Sequence, residues 1–119
     1  MRVVITTANL IHSDWDKKTQ GVWISPLFPK YSQESQSEDQ GSQFQKDLME
    51  YLLQYGPGPL SEWRQHVAQH DMSNARARLL ASVPGRHTGI NKDKWGHMKL
   101  RKVWCIVPVQ KCSALTQLR

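Results

Sequence analysis

Apolar residues come in short bursts along this chain, and their spacing changes from one burst to the next. Val3, Val4, Ile5, Thr6 and Thr7 form an unbroken β-branched run, so residues 2–8 are expected to be a strand. A run without polar alternation suits a strand covered on both faces, as in a parallel or mixed sheet. Residues 10–20 read as a loop or a short helical turn. Gly21-Val22-Trp23-Ile24 reads as a second strand, ended by Ser25-Pro26 and Pro29. The stretch YSQESQSEDQGSQ, residues 31–43, is polar and low in complexity, and predicts a mobile surface loop. Phe44, Leu48, Tyr51, Leu52 and Tyr55 then recur at helical spacing, until Gly56-Pro57-Gly58-Pro59 stops the helix.

A further helix is expected after Ser61 as N-cap, with Glu62 favourable to the dipole and Trp63, Val67 and His70 on its inner stripe. Asp71-Met72-Ser73-Asn74 reads as a turn, ARLLASVPG (77–85) as a third strand, and RHTGINKD as a loop. A last helix is expected to start near Asn91 and to contain Trp95-Gly96-His97-Met98. From Val103 the signals conflict: Leu100, Val103, Trp104 and Val107 keep helical spacing, but VWCIVPV is β-branched and carries Pro108. The order strand, strand, helix, helix, strand, helix is an α/β pattern.

Composition qualifies this picture. With 119 residues the chain has material for one domain, yet only 39% are hydrophobic and the mean hydropathy is -0.61. Such a chain builds a core only if its apolar residues are well patterned or are completed from elsewhere. The formal charge is +6, and its distribution is uneven: residues 31–60 sum to -4 and residues 91–119 to +6. A basic C-terminal quarter suits a polyanion, but from charge alone a solvated helix face is the simpler reading. Cys105 and Cys112 lack zinc-ligand spacing with histidine, so free thiols in a reducing compartment are expected. Neither a signal peptide nor a membrane-spanning segment is expected.

Single residues carry little chemistry on spacing alone. His66 and His70 lie four apart on one helix face, but no third metal ligand is assigned. One packed and one solvated histidine is the simpler reading. Asp14 and Asp16 read as turn formers. There is no GxxxxGK[ST], GxGxxG or GxSxG motif. Trp23 and Trp63 read as core. Trp95 and Trp104, amid Lys92, Lys94, Lys99, Arg101 and Lys102, are the better candidates for a nucleic-acid surface, with Lys94, Trp95 and Lys99 foremost. Asn9 stands where the first strand ends, a place at which open α/β sheets bind ligands; a turn or capping asparagine is the competing reading.

RVVITTANLIHSDWDKKTQGVWISPLFPK closely resembles the tyrosyl-DNA phosphodiesterases of the phospholipase D superfamily. The similarity continues through FQKDLMEYLLQYGPGPLSEW, LLASVPGRH and NKDKWGHMKL, so it covers residues 1–102, with 31–43 matched poorly. The resemblance implies an α/β fold, part of a phospholipase D-like α/β/α sandwich lobe with a mixed sheet. It implies a nuclear hydrolase of DNA repair that removes a topoisomerase I-derived tyrosine or peptide from the 3′ end of single- or double-stranded DNA. In that family each of two lobes supplies a His-x-Lys pair and an asparagine. One histidine forms a phosphohistidine and the other acts as acid and base, while lysines and asparagines hold phosphate oxygens without a metal or other cofactor.

Carried onto this chain, the resemblance gives Asn9 the role of a phosphate-gripping residue and Gln20 that of its support. Ala8 stands where the family tends to a small hydroxyl residue. The first lobe's His-x-Lys pair is expected on a strand preceding Arg2, and neither pair is expected within this chain. Residues 103–119 are expected to be a divergent tail. The chain is therefore expected to be a partial first lobe, inactive alone. The alternative is a non-catalytic nucleic-acid-binding module that uses the basic C-terminal quarter.

Overall fold

Two of the expected strands pair, through short segments. β1 (Val4–Thr6) lies antiparallel to β2 (Val22–Ile24), with Val4 opposite Ile24, Ile5 opposite Trp23 and Thr6 opposite Val22. The ladder continues past the strand ends, since Ser25 N–H donates to Val3 O at 2.9 Å and Thr7 N–H to Gly21 O at 3.0 Å. The computed structural model of the chain describes residues 1–31 and 42–106, which fall into two units divided between Leu79 and Leu80. Within the first unit, α1 (His12–Asp16) connects the two strands, and α2 (Gln43–Leu53) and α3 (Ser61–Ala68) follow. In the second unit a 3-10 turn (Gly89–Asn91) precedes α4 (Gly96–Ile106).

The core of the first unit is Phe28, Phe44, Val67 and Met72, with Val3, Trp23, Leu48, Leu52, Ala77 and Leu79 packed around it. Phe44 sits between two aromatic neighbours, with ring centroids 5.4 Å from Trp23 and 6.3 Å from Phe28. This anchors α2 against the β2 side of the unit through dispersion and tilted ring contacts. Ser42 caps helix α2: its hydroxyl accepts from Gln45 N–H at 3.2 Å, the N-cap bond that relieves one unpaired amide of the first turn. The Gln45 side chain is buried, and its Nε2 donates to Val67 O at 2.8 Å and to His70 O at 3.0 Å, which ties α2 to the last turn of α3. Gly56 turns the chain between the helices at a φ of 97°, a conformation that other residues adopt only with strain. Arg64 clasps that turn by donating to Gly56 O and Pro57 O.

Several expectations need correction. Among the described residues the sheet has only two strands, antiparallel, in a mixture of helix and strand consistent with an α/β fold. β1 is not covered on both faces, for Val4 is 55% exposed and Ile5 44%. Ser61 is not the N-cap of α3: it is the first helical residue, Leu60 precedes it, and no side chain caps this end. Trp63 is 63% exposed, not core. The contacts that hold α3 against α2 lie at its last turn, where Gln45 reaches Val67 and His70, and Trp63 stands one turn away. The third strand over 77–85 is absent among the described residues. Half-buried Ala75, Ala77 and Leu79 alternate with exposed Arg76 and Arg78, but among the described residues no neighbouring strand pairs with the segment. The two-residue period marks an extended segment; a ladder needs a partner as well.

Of the polar stretch 31–43, residues 32–41 lie outside the described residues, Ser42 caps α2 and Gln43 begins it. The conflict at Val103 resolves towards helix: α4 runs without a break through Val103 to Ile106. The rest of the expected tail, 107–119, lies outside the described residues. No described helix is long and apolar enough to cross a membrane.

Candidate functional site

At the end of β1 the chain turns into α1, and one carboxylate gathers the surrounding groups. Asp14 is 3% exposed. Its Oδ2 accepts from the Asn9 backbone N–H at 2.9 Å and from Asn9 Nδ2 at 3.0 Å, and its Oδ1 accepts from Lys18 Nζ at 2.7 Å. The Lys18 ammonium, then the Asn9 backbone N–H, hold this carboxyl below its ordinary value of 3.8 against the opposing effect of burial. An ionised carboxylate only accepts, so the nitrogen end of the Asn9 amide must face Asp14. One N–H of that amide is used, and the other, with Oδ1, has no partner among the described residues. Asn9 itself is exposed, and its carbonyl accepts from Trp15 Nε1 at 2.8 Å.

Gln20 belongs to the same network. Thr7 Oγ1 accepts from Gly21 N–H at 2.9 Å, which directs the hydroxyl proton to Gln20 Oε1 at 2.6 Å. Gln20 Nε2 donates to the Asp14 carbonyl at 3.1 Å. The bonds thus run in one sense from β2 across to α1. Asn9 and Gln20 are not in direct contact in this network; both bond Asp14, one at its side chain and one at its backbone. Asn9 does not cap α1, whose N-cap is Ile11 without any side-chain bond.

Asp14 is the residue that sequence reasoning missed, having been read as a turn former. A signal was available: Asp14 and Lys18 are an i, i+4 acid–base pair. What spacing could not supply is burial, which turns a surface pair into a junction.

The other candidates lie in the second unit. Trp95 is 7% exposed and Lys99 8%, with the Lys99 ammonium 5.9 Å from the centroid of the Trp95 ring. The His87 ring lies tilted with its centroid 6.4 Å from that of Trp95, and its Nε2 donates to Val83 O at 2.9 Å, while Gly96 N–H donates to Ala81 O. Trp95 therefore sits in a small local core and offers no free face for a stacked base. Lys94 is half-buried. Three exposed cations of this unit, Lys92, Arg101 and Lys102, line one cleft of about 340 Å³ with Asp93, Met98 and Cys105.

One triplet in the chain does have His-x-Lys spacing, His97-Met98-Lys99. The structure places it in the first turn of α4. On a strand, residues two apart share a face and can reach one phosphate; on a helix they diverge. Here His97 is exposed and Lys99 buried, so the triplet does not form a convergent pair. His66 is exposed and His70 buried, the latter bonding His66 O through Nδ1 at 2.6 Å. No group of three metal-ligating side chains occurs among the described residues.

Comparison with known proteins assigns the chain. The tyrosyl-DNA phosphodiesterase family profile matches residues 1–117. The chain is 42% identical over 113 residues to tyrosyl-DNA phosphodiesterase 1 of Arabidopsis thaliana, which covers 87% of this chain and 18% of that protein. It is 38% identical over 104 residues to tyrosyl-DNA phosphodiesterase 1 of Drosophila melanogaster, 84% of this chain and 18% of that protein. A probable tyrosyl-DNA phosphodiesterase of Caenorhabditis elegans is 36% identical over 108 residues. The chain belongs to the tyrosyl-DNA phosphodiesterase family, a family of phosphodiester hydrolases, and spans about a fifth of the length of these relatives.

Proposed function

We propose that this chain is part of the first lobe of a tyrosyl-DNA phosphodiesterase, in which Asn9 grips a non-bridging oxygen of the scissile phosphate. The observation that supports this is Asn9 itself: it is exposed at the end of β1, its amide is held by Asp14, and a donor hydrogen is left over. A neutral donor fixed before substrate arrives lowers the cost of charge on the phosphate oxygens as the displacement proceeds. Gln20 supports Asn9 by holding the α1 backbone at Asp14.

The reaction of the whole protein would run through two histidines that have no convergent counterpart among the residues described. An imidazole nitrogen attacks phosphorus and the bond to the tyrosine oxygen breaks, that oxygen taking its proton from the second histidine. Water then attacks the phosphorus of the phosphohistidine, passing its proton to the second histidine; the N–P bond breaks, the first imidazole is released, and the DNA is left with a 3′-phosphate. The substrate would be a 3′ end blocked by a topoisomerase I tyrosine or peptide, the role DNA repair, and the place the nucleus. The sheet would be completed into a phospholipase D-like sandwich by other parts of a longer protein. The exposed apolar residues of β1 and β2, Val4, Ile5, Val22 and Ile24, support that reading, as does the fraction of each relative that the chain covers.

Alone, this chain should not turn over. Without the nucleophile and the acid, residual catalysis from binding groups falls by orders of magnitude. The purified chain is expected to leave a 3′-phosphotyrosyl oligonucleotide intact. Release of tyrosine that depends on Asn9 would overturn the assignment of chemistry to other residues.

The cleft of Lys92, Arg101 and Lys102 favours a second reading, a nucleic-acid-binding module without catalysis. Backbone contacts of this kind take any single strand and weaken steeply with salt. An end-phosphate site prefers one terminus, so salt and end-group dependence separate the two readings.

A further inference from the structure

We propose that Asp14 is the positioning residue of this site, with Lys18 as its charge balance, so that the Asn9 amide presents its second N–H to an anion at the end of β1. The proposal rests on the phosphate reading of Asn9 for its ligand, but not for its geometry. An exposed asparagine has a free χ2 rotation and an amide that can turn either end outward. Orientation would then be lost as entropy each time an anion bound. Asp14 removes that freedom twice, by accepting from the Asn9 backbone N–H and from its Nδ2 with the same oxygen. An acceptor-only group leaves one orientation of the amide, with nitrogen towards Asp14 and the second N–H of that nitrogen open.

A carboxylate so close to an anion site would repel the ligand. Lys18 answers this with Nζ 2.7 Å from Asp14 Oδ1, which leaves a locally neutral pair behind the donor. Lys18 is the one charged side chain bonded to Asp14 among the described residues. His12 and Asp16, the other titratable groups of α1, are exposed and do not bond it. Trp15 completes the fixture by donating to the Asn9 carbonyl. The site is thus a donor held by a buried carboxylate whose charge is balanced by an exposed lysine, formed before any ligand arrives.

The test uses the whole chain in solution. Side-chain amide signals of Asn9 are followed by NMR through an acid titration, with backbone signals of Phe28, Phe44 and Met72 reporting that the core stays folded. In the unaltered chain the Asn9 amide signals should move with a carboxylate titration and lose that response in Asp14→Asn, while Asp16→Asn leaves it in place. A response that survives Asp14→Asn, or none in the folded unaltered chain, overturns the proposal. The second arm measures affinity for a 3′-phosphorylated oligonucleotide. Asn9→Ala, Asp14→Asn and Lys18→Met should each weaken it, Asn9→Ala by about ten- to hundredfold, the scale of one hydrogen bond to a charged group. Asn9→Ala with Asp14→Asn should be no weaker than Asn9→Ala alone. Additive losses would show that Asp14 acts elsewhere. If the unaltered chain ignores the end phosphate, the phosphate reading of Asn9 fails, and the acid titration still decides whether Asp14 holds the amide.

Discussion

Asn9 and Asp14 are joined by two hydrogen bonds to one carboxylate oxygen, at 2.9 Å from the backbone N–H and 3.0 Å from Nδ2. This pairing sets the end of β1 and the start of α1 as one piece. It also means that the state of a single carboxyl governs the shape of the site.

Stability should fall on acidification for this reason. The Asp14 carboxyl is lowered by Lys18 and by the Asn9 backbone N–H, and Asp71 is lowered by the Ser73 backbone N–H, which it accepts at 2.8 Å. A lowered folded value means that the unfolded chain takes up protons first. The contribution is therefore complete above the ordinary value of 3.8 and is lost as pH falls through the folded values. Denaturant midpoints measured from pH 6 downwards should decline below about pH 4, and Asp14→Asn should decline less.

Gln45 is a polar group that the core depends on. Its Nε2 serves Val67 O and His70 O. Replacement by alanine leaves two carbonyls at the end of α3 without that donor and should cost about 1–3 kcal/mol. Chemical unfolding of Gln45→Ala beside Gln45→Glu checks this; glutamate keeps the size but loses the donor and should not restore stability.

Phe44 is the centre of a small core, touched by Trp23 and Phe28. Phe44→Ala should cost about 3–5 kcal/mol, a large part of what a domain of this size possesses. Loss of the cooperative thermal transition is the expected result. Trp63→Ala, on the exposed face of α3, should leave the transition within about 0.5 kcal/mol.

The cleft beside α4 predicts a salt effect. Each phosphate contact contributes about 0.7 to the slope of log affinity against log salt for single strands. Arg101→Ala with Lys102→Ala should reduce the slope by about 1.4, as measured by fluorescence anisotropy with a labelled single strand. Trp95→Phe should not act through stacking, because that ring is buried under Lys99.

What the sequence made legible followed local rules. The β-branched run at Val3–Thr7, the helical spacing from Phe44 to Leu52 and the stop at Gly56-Pro57 all depend on neighbours a few residues away, and β1, α2 and the turn at Gly56 followed. Lost were the properties set by distant contacts. Whether Trp63 or Trp95 was the core ring depended on where α3 and the loop before α4 find cover. Whether 77–85 was a strand depended on a partner. At the site, Asn9 and Gln20 came from family resemblance and spacing could not have supplied them. The role of Asp14 needed the turn from β1 into α1 to be seen, because only there does a carboxylate five residues on fold back over Asn9. The spacing His97-Met98-Lys99 makes the same point in reverse: a motif carries its chemistry only on the element that converges its side chains.

The most direct test of the account compares two oligonucleotides of one sequence, one ending in a 3′-phosphate and the other in a 3′-hydroxyl. If Asn9 is set to hold a phosphate, the chain binds the phosphorylated end more tightly, and Asn9→Ala erases that preference while leaving affinity for the hydroxyl end unchanged. Equal affinity for both ends, or a preference that survives Asn9→Ala, would contradict it.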